Sequence, residues 1–185
     1  MCLQSKDLAS TGVMIQTYML IVNMDLVLEP EHKEFLYTGS DDPSFDFLQS
    51  LQRDIGKTGS IVVWSKKFEC HINDQLAERN PKYKEFIKDV NSRIYDLEDI
   101  FKAQYYIDPG FNGKTSIKNV LSVLVPEMTY SDLDIQEGGT ASQEWNKIAL
   151  SQVSKEEGER IAENLKTYCG LDSFAMYAIW KKLRG

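Results

Sequence analysis

The stretch Ser60-Ile-Val-Val-Trp-Ser-Lys-Lys-Phe-Glu69 decides the fold. Its first five residues form a short apolar run, which is typical of a β-strand that is buried on both faces. A helix is predicted to begin close behind this run, from Phe68 onward. A buried strand that leads directly into a helix indicates an α/β fold, in which functional sites collect at the carboxyl ends of strands. Glu69 is therefore a candidate site residue, at or inside the first turn of that helix.

Strand and helix signals continue on both sides of this stretch. Residues 14–23 are rich in strand formers, and residues 32–37 are a candidate antiparallel partner for them. Residues 94–97 are a further candidate strand, and helical spacing recurs at 45–55, 82–93, 117–125, 142–150 and 157–183. We expect one domain over residues 1–185, with a mixed sheet covered by helices on both faces and a loose N-terminal segment at residues 1–12.

The composition limits the classes of function. The formal net charge of −7 argues against a general duplex-binding surface, because non-specific affinity for duplexes depends on Lys and Arg. The three scattered cysteines (Cys2, Cys70 and Cys169) indicate reduced thiols and hence a cytoplasmic location. The apolar residues of 13–28 are interrupted by polar ones, so we expect neither a signal peptide nor a membrane partner.

Asp172 occupies a position where the helical pattern predicts a core residue. The apolar stripe of 157–183 passes through Tyr168, and its next step falls on Asp172. A carboxylate that faces a core is costly unless it is paired, hydrogen-bonded or bound to a metal. Tyr168 lies one turn earlier and shares that face, so the pair suggests a metal-dependent site. The alternative is a polar residue at the edge of a core helix, satisfied by a backbone N–H or an arginine.

Four strings in this order resemble one known family. Besides the stretch quoted first, they are Ser116-Ile-Lys-Asn-Val-Leu-Ser-Val-Leu-Val-Pro126, Leu133-Asp-Ile-Gln-Glu-Gly-Gly139 and Tyr168-Cys-Gly-Leu-Asp172. The chain resembles, from about residue 16 to about 183, an uncharacterised bacterial family of domains of unknown function. That family is similar to the proofreading-type 3′–5′ exonucleases of the ribonuclease H-like superfamily. The resemblance implies a ribonuclease H-like fold and a nuclease that acts on single-stranded nucleic acid ends.

The resemblance also implies a metal mechanism. Exonucleases of this type hold two divalent ions, Mg²⁺ or Mn²⁺, with four carboxylates, and the ions activate a water molecule. Carried over by position, Asp172 and Glu69 are metal ligands and catalytic residues, Asp96 is a looser match to a further ligand, and Tyr168 orients the attacking water. For Glu69 the alternative is a carboxylate stabilised by a helix dipole. For Asp96 a strand-end acid or helix cap is the favoured alternative.

A small basic rim is expected around this site. Lys66 and Lys67 flank the Glu69 loop, while Lys114 and Lys118 lie near a helix start that could accept a phosphate of a nucleic acid. The alternative is that these lysines are solubilising surface residues. Gly113-Lys114-Thr115 does not extend to a P-loop, because the glycine required five residues earlier is Asp108.

One departure from the superfamily pattern limits the prediction. The Asp-x-Glu motif of the first, central strand is absent, so we expect that strand to be missing and the site to be weak or inactive. The gap in the sheet is expected to be filled by the N-terminal segment or by a neighbouring copy in a homo-oligomer. The alternative function is a non-catalytic interaction or regulatory domain on the same scaffold.

Overall fold

The computed structural model describes residues 30–185, together with the backbone of residues 15–20. The predicted loose segment at residues 1–12 lies outside the described residues. The elements follow in the order β1 (Ile15–Leu20), β2 (Glu31–Leu36), α1 (Ser44–Asp54), β3 (Ile61–Val63), α2 (Lys66–Arg79), α3 (Lys84–Arg93), β4 (Ile94–Asp96), α4 (Asp99–Lys102), α5 (Ile117–Leu124), α6 (Gly138–Ala149) and α7 (Lys155–Arg184).

The strands form two pairs. β1 and β2 are an antiparallel hairpin whose register runs from Ile15 opposite Leu36 to Leu20 opposite Glu31. β3 and β4 are parallel, with Ile61 opposite Ile94. The predicted hairpin and both later strands are therefore confirmed. Within the described residues the pairs remain separate, because no strand there bonds to both of them, so the single sheet that we expected is not seen. The fold is mixed α/β, mostly helical, with little sheet.

Arg93, the last residue of α3, connects the amino ends of β3 and β4. Its guanidinium donates hydrogen bonds to the carbonyl oxygens of Gly56 (3.1 Å), Thr58 (3.3 Å) and Gly59 (3.2 Å), just before β3. Gly56 and Gly59 have φ values of 65° and 91°, which glycine adopts without strain. Arg93 also pairs with Asp89 one turn earlier at 3.0 Å. The loop before β3 is thereby attached to the residue that precedes β4.

The long helix α7 organises the main core. Its stripe of apolar residues, spaced by three and four, buries Leu165, Ala175 and Ile179 completely against α5 and α6. The helix begins at Ser154, whose side chain accepts a hydrogen bond from the Glu157 N–H, and it extends the predicted 157–183 by a residue or two at each end. Among the described helices, α7 included, none combines the length and apolar character that a membrane span requires.

A second, smaller core lies between α1, α2 and α3. Its fully buried members include Phe47, Leu48 and Leu51 of α1 and Leu76 of α2. The aromatic ring of Phe35, from β2, packs edge-on against Phe47 with 5.9 Å between ring centroids. The hairpin is therefore in contact with this core, and it also packs along α7.

Candidate functional site

Glu69 is a buried carboxyl group in the first turn of α2, directly after β3, as the sequence predicts. The residue is 2 % exposed, and no described residue hydrogen-bonds its Oε2 atom. The pKa of Glu69 is raised from 4.5 to about 8, chiefly by burial, and the nearby charges of Asp172 and Asp96 act in the same direction. Glu69 does lie in the first turn of α2, where a helix dipole lowers the pKa of a carboxyl, but burial acts in the opposite direction and is the larger effect. A buried carboxylate is stable only if its charge is compensated, so Glu69 needs a bound proton or a bound cation.

A strained turn joins β3 to α2 just before Glu69. Ser65 has φ 72° and ψ 74°, a left-handed conformation that serine rarely adopts. Its backbone N–H donates to Oδ1 of Asp96 at 3.0 Å, and the N–H of Lys66 donates to Oδ2 at 2.7 Å. Hydrogen bonds from the two backbone amides hold the turn in this conformation, and the turn sets where α2 begins. The position of Glu69 is thus fixed by Asp96, at the end of the neighbouring strand β4.

Asp96 is the last residue of β4 and is 9 % exposed. In addition to the two amides of the β3–α2 turn, it accepts a hydrogen bond from the Glu98 N–H at 3.1 Å. It therefore caps the amino end of a helix that starts 30 residues earlier in the chain. This is the helix-cap alternative of the sequence analysis, and the role of Asp96 as a metal ligand stays a prediction.

Asp172 and Tyr168 lie on one face of α7, as predicted, and Tyr168 is buried while Asp172 is half-buried. The hydroxyl of Tyr130 donates to Oδ1 of Asp172 at 2.6 Å, and the rings of Tyr130 and Tyr168 lie 6.1 Å apart. Tyr130 was not predicted from the sequence, because it lies in an irregular loop without periodicity. Asp172 therefore has a phenol partner in the structure, and this phenol belongs to Tyr130.

The four predicted lysines occupy different places. The ammonium of Lys118 lies 5.2 Å from the ring centroid of Tyr130 and 5.9 Å from that of Tyr168, and it donates to the backbone oxygen of Gln136. The ammonium of Lys66 donates to the Ile94 oxygen at 3.0 Å, while Lys67 and Lys114 are exposed. The structure therefore brings Lys118 to the Asp172 group.

Glu98 is a further buried acid that sequence analysis missed. Its carboxylate accepts a hydrogen bond from the Thr115 hydroxyl at 2.8 Å and pairs with Lys102 at 2.6 Å. The indole N–H of Trp64 donates to the Thr115 oxygen at 3.1 Å. These contacts attach the segment before α5 to the carboxyl ends of β3 and β4. No sequence pattern marks them, because they join three separate segments of the chain.

The donor set for a metal ion is small. Within residues 30–185 no three His, Cys, Asp or Glu side chains are grouped so that they could hold a metal ion. The buried Oε2 of Glu69 nevertheless fits a cation, because it is an acceptor that no described group satisfies. Asp172 is close enough for its charge to act on Glu69. The structure thus places the two carboxylates within electrostatic reach of each other, and their joint role as metal ligands stays a prediction.

A family model with the description Domain of unknown function (DUF2779) matches residues 12–116 of the chain. The chain belongs to this family. The predicted membership of an uncharacterised domain family is confirmed. In this DUF2779 chain the match includes Glu69 and Asp96, whereas Tyr168 and Asp172 lie beyond it.

A curated relative of the chain comes from Mycoplasma genitalium (strain ATCC 33530 / DSM 19775 / NCTC 10195 / G37) and carries the name Uncharacterized protein MG366. The two sequences are 30% identical over 149 residues, which cover 71% of this chain and 21% of the relative. The DUF2779 chain thus spans about a fifth of the length of this relative. No solved structure matches the chain.

Proposed function

We propose that this chain is a nuclease-like domain, related to the metal-dependent 3′–5′ exonucleases that act on single-stranded nucleic acid ends, and weak or inactive in its own right. The observation that carries the proposal is Glu69, a buried carboxyl without a described partner on Oε2, beside the charges of Asp172 and Asp96. Carboxyl groups with strongly shifted pKa values are concentrated at functional sites, because stability alone does not favour them.

The residues around Glu69 divide the work of such a site. Glu69 and Asp172 would hold the cation, and the hydroxyl of Tyr130 orients the Asp172 carboxylate. When bound, Mg²⁺ or Mn²⁺ would supply a Lewis acid for a phosphodiester and for water. Tyr168 would orient the attacking water. Lys118, beside both tyrosine rings, would neutralise a phosphate of the substrate, and its closeness to those rings supports this role.

The weakness of the site follows from its small number of free carboxylates. Asp96 accepts three backbone N–H bonds, so its oxygens are largely occupied with holding the β3–α2 turn. The two described strand pairs share no strand. We propose that the N-terminal segment or a second copy of the chain adds the strand that joins them and completes the acidic site.

A manganese titration tests the proposal. A cation that binds only the folded state raises the melting temperature, so Mn²⁺ should raise that of the wild-type chain. Mg²⁺ at the same concentration should raise it by a smaller amount. Asp172→Asn should remove most of the Mn²⁺-dependent shift, and the exposed control Asp41→Asn should retain it. Equal shifts in both variants would contradict a metal role for Asp172.

A nuclease assay tests the weak activity. With Mn²⁺ and end-labelled single-stranded DNA or RNA, we expect slow or no release of nucleotides from the 3′ end. Fast release that Asp172→Asn abolishes would show a complete site and overturn this part of the proposal.

The second candidate is a non-catalytic interaction or regulatory domain on the same scaffold. It is favoured by the use of Asp96 as a helix cap and by the absence of a three-residue metal cluster among the described side chains. In that case Mn²⁺ gives no shift in melting temperature, and Asp172→Asn behaves as the wild type does.

A further inference from the structure

Asn73 lies on α2 one turn after Glu69 and is fully buried. Its Nδ2 donates to Oδ1 of Asn91, on α3, at 2.7 Å, and Nδ2 of Asn91 donates to Oδ1 of Asp74 at 3.0 Å. An ionised aspartate only accepts hydrogen bonds, so Asn91 must present its nitrogen to Asp74 and its oxygen to Asn73. This relay fixes the orientation of the Asn73 amide, and its oxygen points away from Asn91.

The Oδ1 atom of Asn73 is buried and has no hydrogen-bond partner among the described residues. The same is true of Oε2 of Glu69. Residues four apart on a helix lie on one face, with Cβ atoms about 5–6 Å apart. Two buried acceptor oxygens thus belong to side chains on one face of α2, and neither has a described donor. Each one is destabilising if it stays unsatisfied, and a single cation between them would satisfy both.

We propose that Oδ1 of Asn73 is a neutral oxygen ligand that holds a divalent cation together with Glu69. This inference rests on the proposed function, and it adds a ligand that neither the Tyr-x-x-x-Asp pair nor the strand-end acids supply. Carboxylate and amide oxygens are the ligands that Mg²⁺, Mn²⁺ and Ca²⁺ prefer. The Asn91–Asp74 relay acts as the support that keeps the amide oxygen turned toward the cation.

Direct Mn²⁺ binding by the full chain, followed by electron paramagnetic resonance of the free ion, tests this ligand. Asn73→Ala should weaken Mn²⁺ binding by at least about tenfold. Asn73→Asp is nearly isosteric and adds a charge, so it should bind Mn²⁺ more tightly than the wild type does. The matched control is Gln75→Ala, which removes another amide of α2 that lies on a different face, and its Mn²⁺ affinity should equal that of the wild type.

Different outcomes overturn different claims. If the wild type binds Mn²⁺ through Asp172 but Asn73→Ala binds it equally well, the amide is not a ligand and the proposed function stands. If the wild type binds no Mn²⁺, both proposals fail. If a buried water, and no cation, occupies the position beside the Asn73 amide oxygen, Asn73→Asp should gain no Mn²⁺ affinity. That result would also reject Asn73 as a metal ligand. Should Asn73→Ala not fold, the isosteric Asn73→Asp decides alone.

Discussion

At the scale of single residues, the molecule retains an acid where a neutral side chain would be more stable. Glu69 is buried, and its pKa is raised to about 8 by burial and then by the neighbouring acids. In the unfolded chain the same group has its ordinary pKa of 4.5. Between these two values the folded state binds a proton that the unfolded state has lost, so stability must fall as the pH rises through this window.

Replacing Glu69 with glutamine should therefore stabilise the protein at high pH. Below pH 4.5 the wild type and Glu69→Gln should be about equally stable, whereas at pH 8 the variant should be more stable by on the order of a few kcal/mol. Urea unfolding at both pH values measures the difference. The exposed control Glu78→Gln, on the same helix, should show no such pH dependence. A Glu69→Gln variant that is less stable than wild type at pH 8 would indicate a structural role for the charge.

The residues of the site were predictable only where local pattern marks them. Glu69 follows a buried strand and Asp172 interrupts an apolar stripe, so spacing alone marks both as candidates. Tyr130, Glu98 and Asn73 could not be found in this way, because their partners lie in other elements. Tyr130 reaches a residue 42 positions away, and only the tertiary structure determines that contact.

At the scale of elements, the parallel pair β3–β4 controls where α2 begins. The residue before α2, Ser65, makes no side-chain cap of its own, and the carboxylate of Asp96 supplies the cap from the end of β4. The sequence predicts both strands and the helix from periodicity. The sequence cannot predict the cap, because the usual capping side chain belongs to the residue next to the helix. Here the capping side chain is that of Asp96, 30 residues further along the chain.

Asp96→Asn should loosen this connection. The amide retains one acceptor oxygen, so one backbone N–H at the start of α2 loses its partner, which costs about 1–3 kcal/mol. Urea unfolding should show this loss, and Asp46→Asn, at an exposed position in the first turn of α1, should cost much less. Equal losses in the two variants would mean that Asp96 acts only through its general charge.

At the scale of the whole molecule, two cores are held together by the hairpin and the long helix. Leu165 of α7 lies in the main core and Leu51 of α1 in the smaller one, and both are fully buried. The indole N–H of Trp145 donates to the Tyr37 oxygen at 2.6 Å, which ties the end of β2 to α6. The mixed α/β class follows from the sequence. The division into two strand pairs does not, because strand pairing depends on tertiary contacts that periodicity does not encode.

A leucine in each core tests whether the cores unfold together. Leu165→Ala and Leu51→Ala should each cost about 2–5 kcal/mol, because each leaves a cavity in a closely packed environment. If residues 1–185 form one domain, each variant should still melt in a single transition, seen alike by circular dichroism and tryptophan fluorescence. A second transition in Leu51→Ala alone would show that the smaller core is an independent unit.

The guanidinium of Arg93 has a consequence for how the two short parallel strands stay in line. A ladder of three residues is too short to fix its own alignment, and a slip by one position would turn Val63 from the interior to the opposite side. The guanidinium of Arg93 donates hydrogen bonds to three carbonyl groups just before β3, and Arg93 itself directly precedes β4. These bonds therefore fix the register of β3 relative to β4. The hydrogen bonds between Asp96 and the β3–α2 turn thus depend on the Arg93 side chain, which lies at the opposite end of both strands.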